Sequence, residues 1–143
     1  MEEQISNQQA FSEKVVWITG ASGGIGEEMA VAFAEIGSKV VLSARNRQQL
    51  ERVRDRCFDA GASHESVLVL PLDVVDLDAM PAAVDSVMES YSRIDLLINN
   101  AGVGVRDFCT DVKIDLYRTA LEVNLIGPIA LTKQVLPIMI KQK

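Results

Sequence analysis

Two hydrophobic rhythms alternate along this chain. Short, nearly unbroken apolar runs occur at residues 15–18, 40–42, 67–72 and 94–98. Each has the length of a strand, and apolar character without in-and-out alternation suits a parallel strand covered on both faces. Between these runs apolar residues return every three or four positions: Ile25, Met29, Ala32, Phe33 and Ile36, then Leu50, Val53, Cys57 and Ala60, then Met80, Val84, Val87, Met88 and Tyr91. That spacing puts each set on one stripe of a helix. The punctuation agrees, because Gly37 and Gly61 follow the first two helices, Pro81 falls in the first turn of the third, and Asp76 or Asp78 can cap it. Strands and helices alternating through short connections imply right-handed crossovers and an α/β fold, a doubly wound parallel sheet of order 3-2-1-4. A last helix is expected from Asp111 or Asp115 to Ile140, broken at Gly127-Pro128. Residues 1–13 are polar and without period, and read as a loose arm before a single domain of residues 14–143.

Ligands of such sheets collect above the carboxyl ends of the strands, where the winding reverses, here between strands one and four. The first run ends in Thr19-Gly20-Ala21-Ser22-Gly23-Gly24-Ile25-Gly26. A glycine turn that opens a helix presents bare N–H groups and a positive helix end, which suits an anion, most often a nucleotide pyrophosphate. The same glycines would also serve tight packing of strand against helix and nothing more. Their spacing is not G-x-G-x-x-G, and no Gly-Lys-Ser/Thr follows, so a phosphate-transfer ATPase is not expected. Strand two ends in Ala44-Arg45. An acid at that place meets a ribose hydroxyl, whereas a basic residue accommodates a 2′-phosphate, so Arg45 favours NADP(H) over NAD(H), with Arg47 able to share or replace it.

Composition narrows the field further. The 143 residues, 48% of them apolar, are enough for one real core. A net charge of -6 argues against a nucleic-acid surface. The basic cluster Arg45, Arg47, Arg52, Arg54 and Arg56 is interleaved with Glu51 and Asp55 and reads mainly as a solvated helix face. Cys57 and Cys109 read as free thiols and the amino terminus lacks a secretory pattern, so an intracellular protein is expected. The single histidine, His64, gives no basis for a metal site. Residues 121–140, interrupted by Glu122, Asn124, Lys133 and Gln134, read as unfit to span a membrane.

The glycine run, Asp73-Val74, Asn99-Asn100-Ala101-Gly102 and Asn124 stand in an order and spacing that resembles the short-chain dehydrogenase/reductase family, from about Lys14 onward. The wording Leu42-Ser43-Ala44-Arg45, Leu68 to Asp73 and Val135-Leu136-Pro137 looks closest to its branch of NADP-linked steroid and retinoid reductases. The resemblance implies a Rossmann-type fold in which Gly20, Gly24 and Gly26 shape the pyrophosphate turn and Ser22 and Ile25 contact the cofactor. It implies that Asp73 and Val74 hold the adenine ring. Asn100, in the loop shared with Ala101 and Gly102, would contact the ribose on the nicotinamide side. Asn124 would bind, through its backbone, a water of the proton relay. Without the resemblance, Asn100 and Asn124 would pass for capping or helix-surface amides. The implied reaction is hydride transfer between NADP(H) and a small carbonyl or secondary alcohol, and the implied assembly is a homo-oligomer through the helix that carries Asn124.

One part of the family pattern is missing from this sequence. Its members carry a Ser on the next strand, then a Tyr and a Lys four residues later, the Tyr exchanging the proton of the substrate oxygen. Here the tyrosines, Tyr91 and Tyr117, are followed four positions on by Asp95 and Leu121. Strand four would also be left as an apolar open edge, which invites pairing with another chain. The sequence therefore reads as the amino-terminal part of a larger domain, truncated before the fifth strand. The alternative is a module that binds nucleotide or a partner without chemistry.

Overall fold

The computed structural model describes residues 10–142. Four strands, β1 (Val15–Thr19), β2 (Lys39–Ser43), β3 (Val67–Val69) and β4 (Leu96–Ile98), pair in parallel in the order β3-β2-β1-β4. Helix α1 (Gly24–Glu35) links β1 to β2, α2 (Arg47–Asp59) links β2 to β3, and α3 (Met80–Tyr91) links β3 to β4. After β4 come α4 (Ile114–Leu121), one π-helical turn (Glu122–Ile126) and α5 (Gly127–Lys141). The expected doubly wound sheet is thus formed, and alternate residues of each central strand feed two separate cores.

On one face Val15, Trp17 and Val41 pack with Met80, Val84 and Val87 of α3 and with Leu131 and Val135 of α5. The Trp17 indole is fully buried and its Nε1 donates to Ser43 Oγ at 2.8 Å, satisfying the one polar atom of the ring. On the other face Val16, Ile18, Val40 and Leu42 pack with Ala30 and Ala34 of α1 and Leu50, Val53 and Cys57 of α2. Both faces are covered, as continuous apolar strands require.

Several boundaries differ from the sequence expectation, each for a local reason. β3 stops at Val69 because Pro71 has no N–H, yet the Leu70 and Leu72 N–H groups still donate to the Leu42 and Ala44 carbonyls at 2.9 and 3.0 Å. α1 starts at Gly24, so Gly24, Ile25 and Gly26 belong to its first turn. Its buried stripe is Gly26, Glu27, Ala30 and Ala34, while Ala32 is exposed and Ile25 is 75% exposed. Small residues on that stripe let α1 approach the sheet closely, with Met29 and Phe33 filling the flanks. Asp76, not Asp78, caps the segment before α3, its Oδ1 accepting from Ala79 N at 3.2 Å.

The last helix is also different. Gly127-Pro128 does not break it; the ladder widens to a π turn just before the proline and continues. The stretch Ile114–Lys141 is long and apolar enough, by length and composition, to cross a membrane, contrary to the expectation from its polar residues. The reason is that Lys133 is the one formal charge between Val123 and Ile140. In the structure this helix lies on the sheet through Leu131 and Val135, leaving Ile129, Leu136 and Ile140 exposed. Of the expected arm, residues 1–9 lie outside the described residues. Residues 10–13 are anchored: the Ser38 hydroxyl donates to the Phe11 carbonyl at 2.8 Å, and Phe11 meets Phe33 edge-on at 5.5 Å.

Candidate functional site

An open cleft of about 550 Å³ lies above the carboxyl ends of the strands, and all four strand-to-helix connections contribute walls. Gly20, Ser22, Gly23 and Ile25 come from the turn after β1, and Ala44, Arg45, Asn46 and Gln49 from the end of β2 and the start of α2. Leu72, Asp73 and Val74 follow β3, and Asn100, Ala101, Gly102 and Val103 follow β4. Thr119 and Val123 close the far side.

The glycine turn is built by close approach. A Cβ on Gly20 would lie 2.8 Å from Ala101 Cα, and one on Gly26 would strike the Gly20 carbonyl and lie 2.5 Å from Asn100 Nδ2. Gly20 is also at φ +66, a conformation that favours glycine. The Asn100 amide fills the space these glycines leave, its Nδ2 donating to the Thr19 and Gly20 carbonyls at 3.1 and 3.2 Å. Thr19 Oγ1 accepts from the N–H groups of Asn100 and Ala101, both at 3.1 Å. Two strand ends are thereby stitched together beneath the cleft. The Asn100 side chain is committed to this stitch, so its contribution to the cleft wall is made by what remains free of the residue.

At the opposite end, Arg45 is exposed on the rim, and none of the ion pairs among the described residues involves it. Arg47 is turned to Glu51 at 3.9 Å along its own helix. The neighbouring Asn46 caps α2, its Oδ1 accepting from Gln49 N at 3.1 Å. Asp73 Oδ1 accepts from Val75 N at 3.2 Å, which holds the loop after β3 in a turn.

The rest of the arginine cluster stays partly exposed, and two of its members also reach back to α1. Arg52 and Arg56 both pair with Glu27, the one buried carboxylate among the described residues, and Arg56 also reaches Glu28 at 2.9 Å. Hydrogen bonds from Arg52 outweigh the cost of burial and, joined by Arg56, hold the Glu27 carboxyl at about 2, below its ordinary 4.5. The alternation with Glu51 and Asp55 hid this, because Arg52 and Arg56, one turn apart and still partly exposed, reach across to a carboxylate on α1.

Asn124 stands behind the cleft wall and not in it. Its side chain grips one residue of the loop after β4, Oδ1 accepting from Val103 N and Nδ2 donating to the Val103 carbonyl, both at 2.8 Å. Its own carbonyl is the one that Pro128, lacking an N–H, cannot serve in the α-helical pattern. Gly24 and Gly26 also stand outside the walls, Gly26 buried below the turn and Gly24 exposed at its outer side. The other expected residues, Gly20, Ser22, Ile25, Arg45, Asp73, Val74, Asn100, Ala101 and Gly102, are brought together. The sequence reading missed Gln49, Thr119 and Val123, and nothing in their local pattern marks them.

Residues 14–143 match a family model described as short chain dehydrogenase. The human dehydrogenase/reductase SDR family member 7 is 47% identical over 134 residues, a match covering 93% of this chain and 40% of the relative. The chain thus spans under half the length of that curated relative. Among solved structures, a metagenomic short-chain oxidoreductase in complex with NADP superposes with TM-score 0.84 at 32% identity, over 93% of this chain and 59% of that one. A short chain dehydrogenase/reductase from Burkholderia phymatum in complex with NAD also gives TM-score 0.84 at 32% identity, over 92% of this chain and 46% of that one.

Proposed function

The chain belongs to the short-chain dehydrogenase/reductase family, and on that premise we propose that it forms the cofactor-binding part of an NADP(H)-dependent oxidoreductase acting on a carbonyl or secondary alcohol. The observation that carries this reading is the cleft itself, lined by the glycine turn and by Arg45, which has no ion-pair partner among the described residues. The residues fit a dinucleotide. Gly20 and Gly26 let the turn fold tightly onto Ala101 and Asn100 beneath the cleft, and the first turn of α1 offers N–H groups and a positive helix end to a pyrophosphate above it. Arg45, at the end of β2, would take the 2′-phosphate as a two-pronged, charge-assisted pair. Asp73 and Val74 would flank the adenine, and the backbone of Asn100, Ala101 and Gly102 would flank the ribose nearer the nicotinamide.

The bound cofactor would supply the hydride. This chain's part in moving the proton would fall to Asn124, which lies in the π turn just before Pro128 and whose side chain fixes the Val103 backbone at the cleft. Residues 1–143 hold no Tyr-x-x-x-Lys, and that favours a second reading for this stretch by itself, binding without turnover. In the whole protein, the part of the relatives' length beyond this match would provide the proton donor. Assembly of two copies through the exposed face of α5 is part of the same proposal.

Titrating the chain with NADPH and NADH tests the assignment. Trp17, the one tryptophan, is buried in the sheet that floors the cleft and serves as donor for energy transfer to the reduced nicotinamide. Saturable transfer with tighter binding of NADPH is expected; equal affinity for the two cofactors would overturn the NADP(H) preference.

A further inference from the structure

Residues 22–24 form the middle of the glycine turn, and their own side chains give them little to hold on to. A Cβ on Gly24 would meet nothing within 4 Å, and one on Gly23 would meet only the Glu27 carboxylate, at 3.9 Å. The start of the turn is tied from both sides, Gly20 through the Asn100 amide at 3.2 Å and Ala21 through the Ser43 carbonyl at 3.1 Å. In the middle, the one side chain among the described residues that hydrogen-bonds the turn is Arg52, whose Nη2 donates to the Ser22 carbonyl at 3.3 Å.

Arg52 is itself fixed. Its two terminal nitrogens donate to the two oxygens of Glu27 at 2.7 and 2.6 Å, a fork on a carboxylate that sets the plane of the guanidinium. Arg56, one turn further along α2, also pairs with Glu27 but makes no hydrogen bond to the turn. Arg52 is not among the cleft walls whereas Ser22 is, so the bond aims the Ser22 carbonyl out of the cleft. The cluster also cancels the Glu27 charge, which sits in the first turn of α1 where an unpaired carboxylate would repel an anionic ligand.

We propose that Arg52, oriented by Glu27, is a positioning residue for the nucleotide: it turns the Ser22 carbonyl away so that the N–H groups of the glycine turn face the pyrophosphate. This rests on the nucleotide-binding reading above and adds a residue that touches no ligand.

The test compares Arg52→Lys with Arg56→Gln in the full chain. Lysine keeps the charge but cannot hold Glu27 and Ser22 together, whereas Arg56→Gln removes a Glu27 partner and leaves the contact to the turn intact. Dissociation constants are measured for NADPH, NADH and adenosine 2′-monophosphate, which lacks the pyrophosphate, and thermal midpoints are recorded for each variant. Arg52→Lys is expected to weaken both dinucleotides by roughly three- to tenfold, the range of one lost hydrogen bond, while the monophosphate is unaffected. Arg56→Gln is expected to lower the midpoint without moving any of the three affinities. If the two variants shift dinucleotide affinity alike, or Arg52→Lys shifts it not at all, the role is only structural and the proposal falls. Should Arg52→Lys fail to fold, Arg52→Met, with Arg56→Met as the control for the lost charge, carries the same expectation. Failure of the unsubstituted chain to bind either dinucleotide would overturn the nucleotide reading, and this inference with it.

Discussion

Arg45 and Arg47 differ by two positions and by everything that matters for a 2′-phosphate. Arg47 lies in the first turn of α2 and spends its charge on Glu51, whereas Arg45 precedes the Asn46 cap and lines the cleft. A charge-assisted hydrogen bond contributes about 1.5–3 kcal/mol, so Arg45→Ala should weaken NADPH binding by roughly tenfold to a hundredfold and leave NADH nearly unchanged. Parallel titrations with the two cofactors check it, and equal losses for both would show that Arg45 does not meet the 2′-phosphate. The place of Arg45 was legible in the sequence because the end of strand two is set by the apolar run 40–42, which can be counted. What Arg52 and Arg56 do was not legible. A charged residue on a helix reads as solvated until it is known which partner its head group reaches, and the partner here is twenty-five residues away, Glu27 to Arg52.

At the scale of elements, the long helix shows why a motif in the chain does not fix a shape. Gly127-Pro128 promised a break, and the structure instead holds a π turn at Glu122–Ile126, after which α-helical structure resumes at Gly127. Gly127 is there for another reason: a Cβ would strike the Val74 carbonyl and lie 3.2 Å from Val74 Cβ, in the loop that forms the adenine end of the proposed site. Two effects of opposite sign compete in Gly127→Ala. Helix propensity favours alanine by about 1 kcal/mol, and overpacking against backbone costs about 1–3 kcal/mol. The clash is with a carbonyl that cannot rotate aside as a side chain would, so net destabilisation is expected, together with weaker cofactor binding through the displaced Asp73-Val74 loop. Denaturant unfolding of wild type and variant decides it; a raised midpoint would mean that the helix simply shifts. Strands and covering helices were readable because period and length specify them. The π turn was not, since it depends on how α5 seats against Val74 in space.

For the molecule as a whole, the order 3-2-1-4 followed from counting alternating elements, and the cleft followed from the order. The open side of the sheet carries a further consequence. Leu96, Leu97, Val135, Leu136 and Met139 line an apolar groove of about 210 Å³ beside β4, and the exposed face of α5 continues from it. An apolar sheet edge with no strand on its outer side among the described residues favours association, so residues 1–143 expressed alone are expected to sediment above the monomer mass. The chemistry is expected to be missing too. Tyr91 is half-buried on α3, burial pushing its hydroxyl up to about 12, and no lysine stands four residues on to bring it down. The Tyr117 hydroxyl is directed to Cys109 Sγ at 3.7 Å and is followed at that spacing by Leu121. Neither is placed to exchange a proton with a substrate oxygen near neutral pH, and general acid–base catalysis supplies on the order of a hundred- to ten-thousandfold of such rates. Purified 1–143 should therefore bind NADPH, seen as energy transfer from Trp17, while showing no ketone-dependent loss of absorbance at the reduced nicotinamide band across a panel of carbonyl substrates. Turnover by that polypeptide would place the proton donor inside these residues, and would make Asn124 and the loop it grips the first place to look for it.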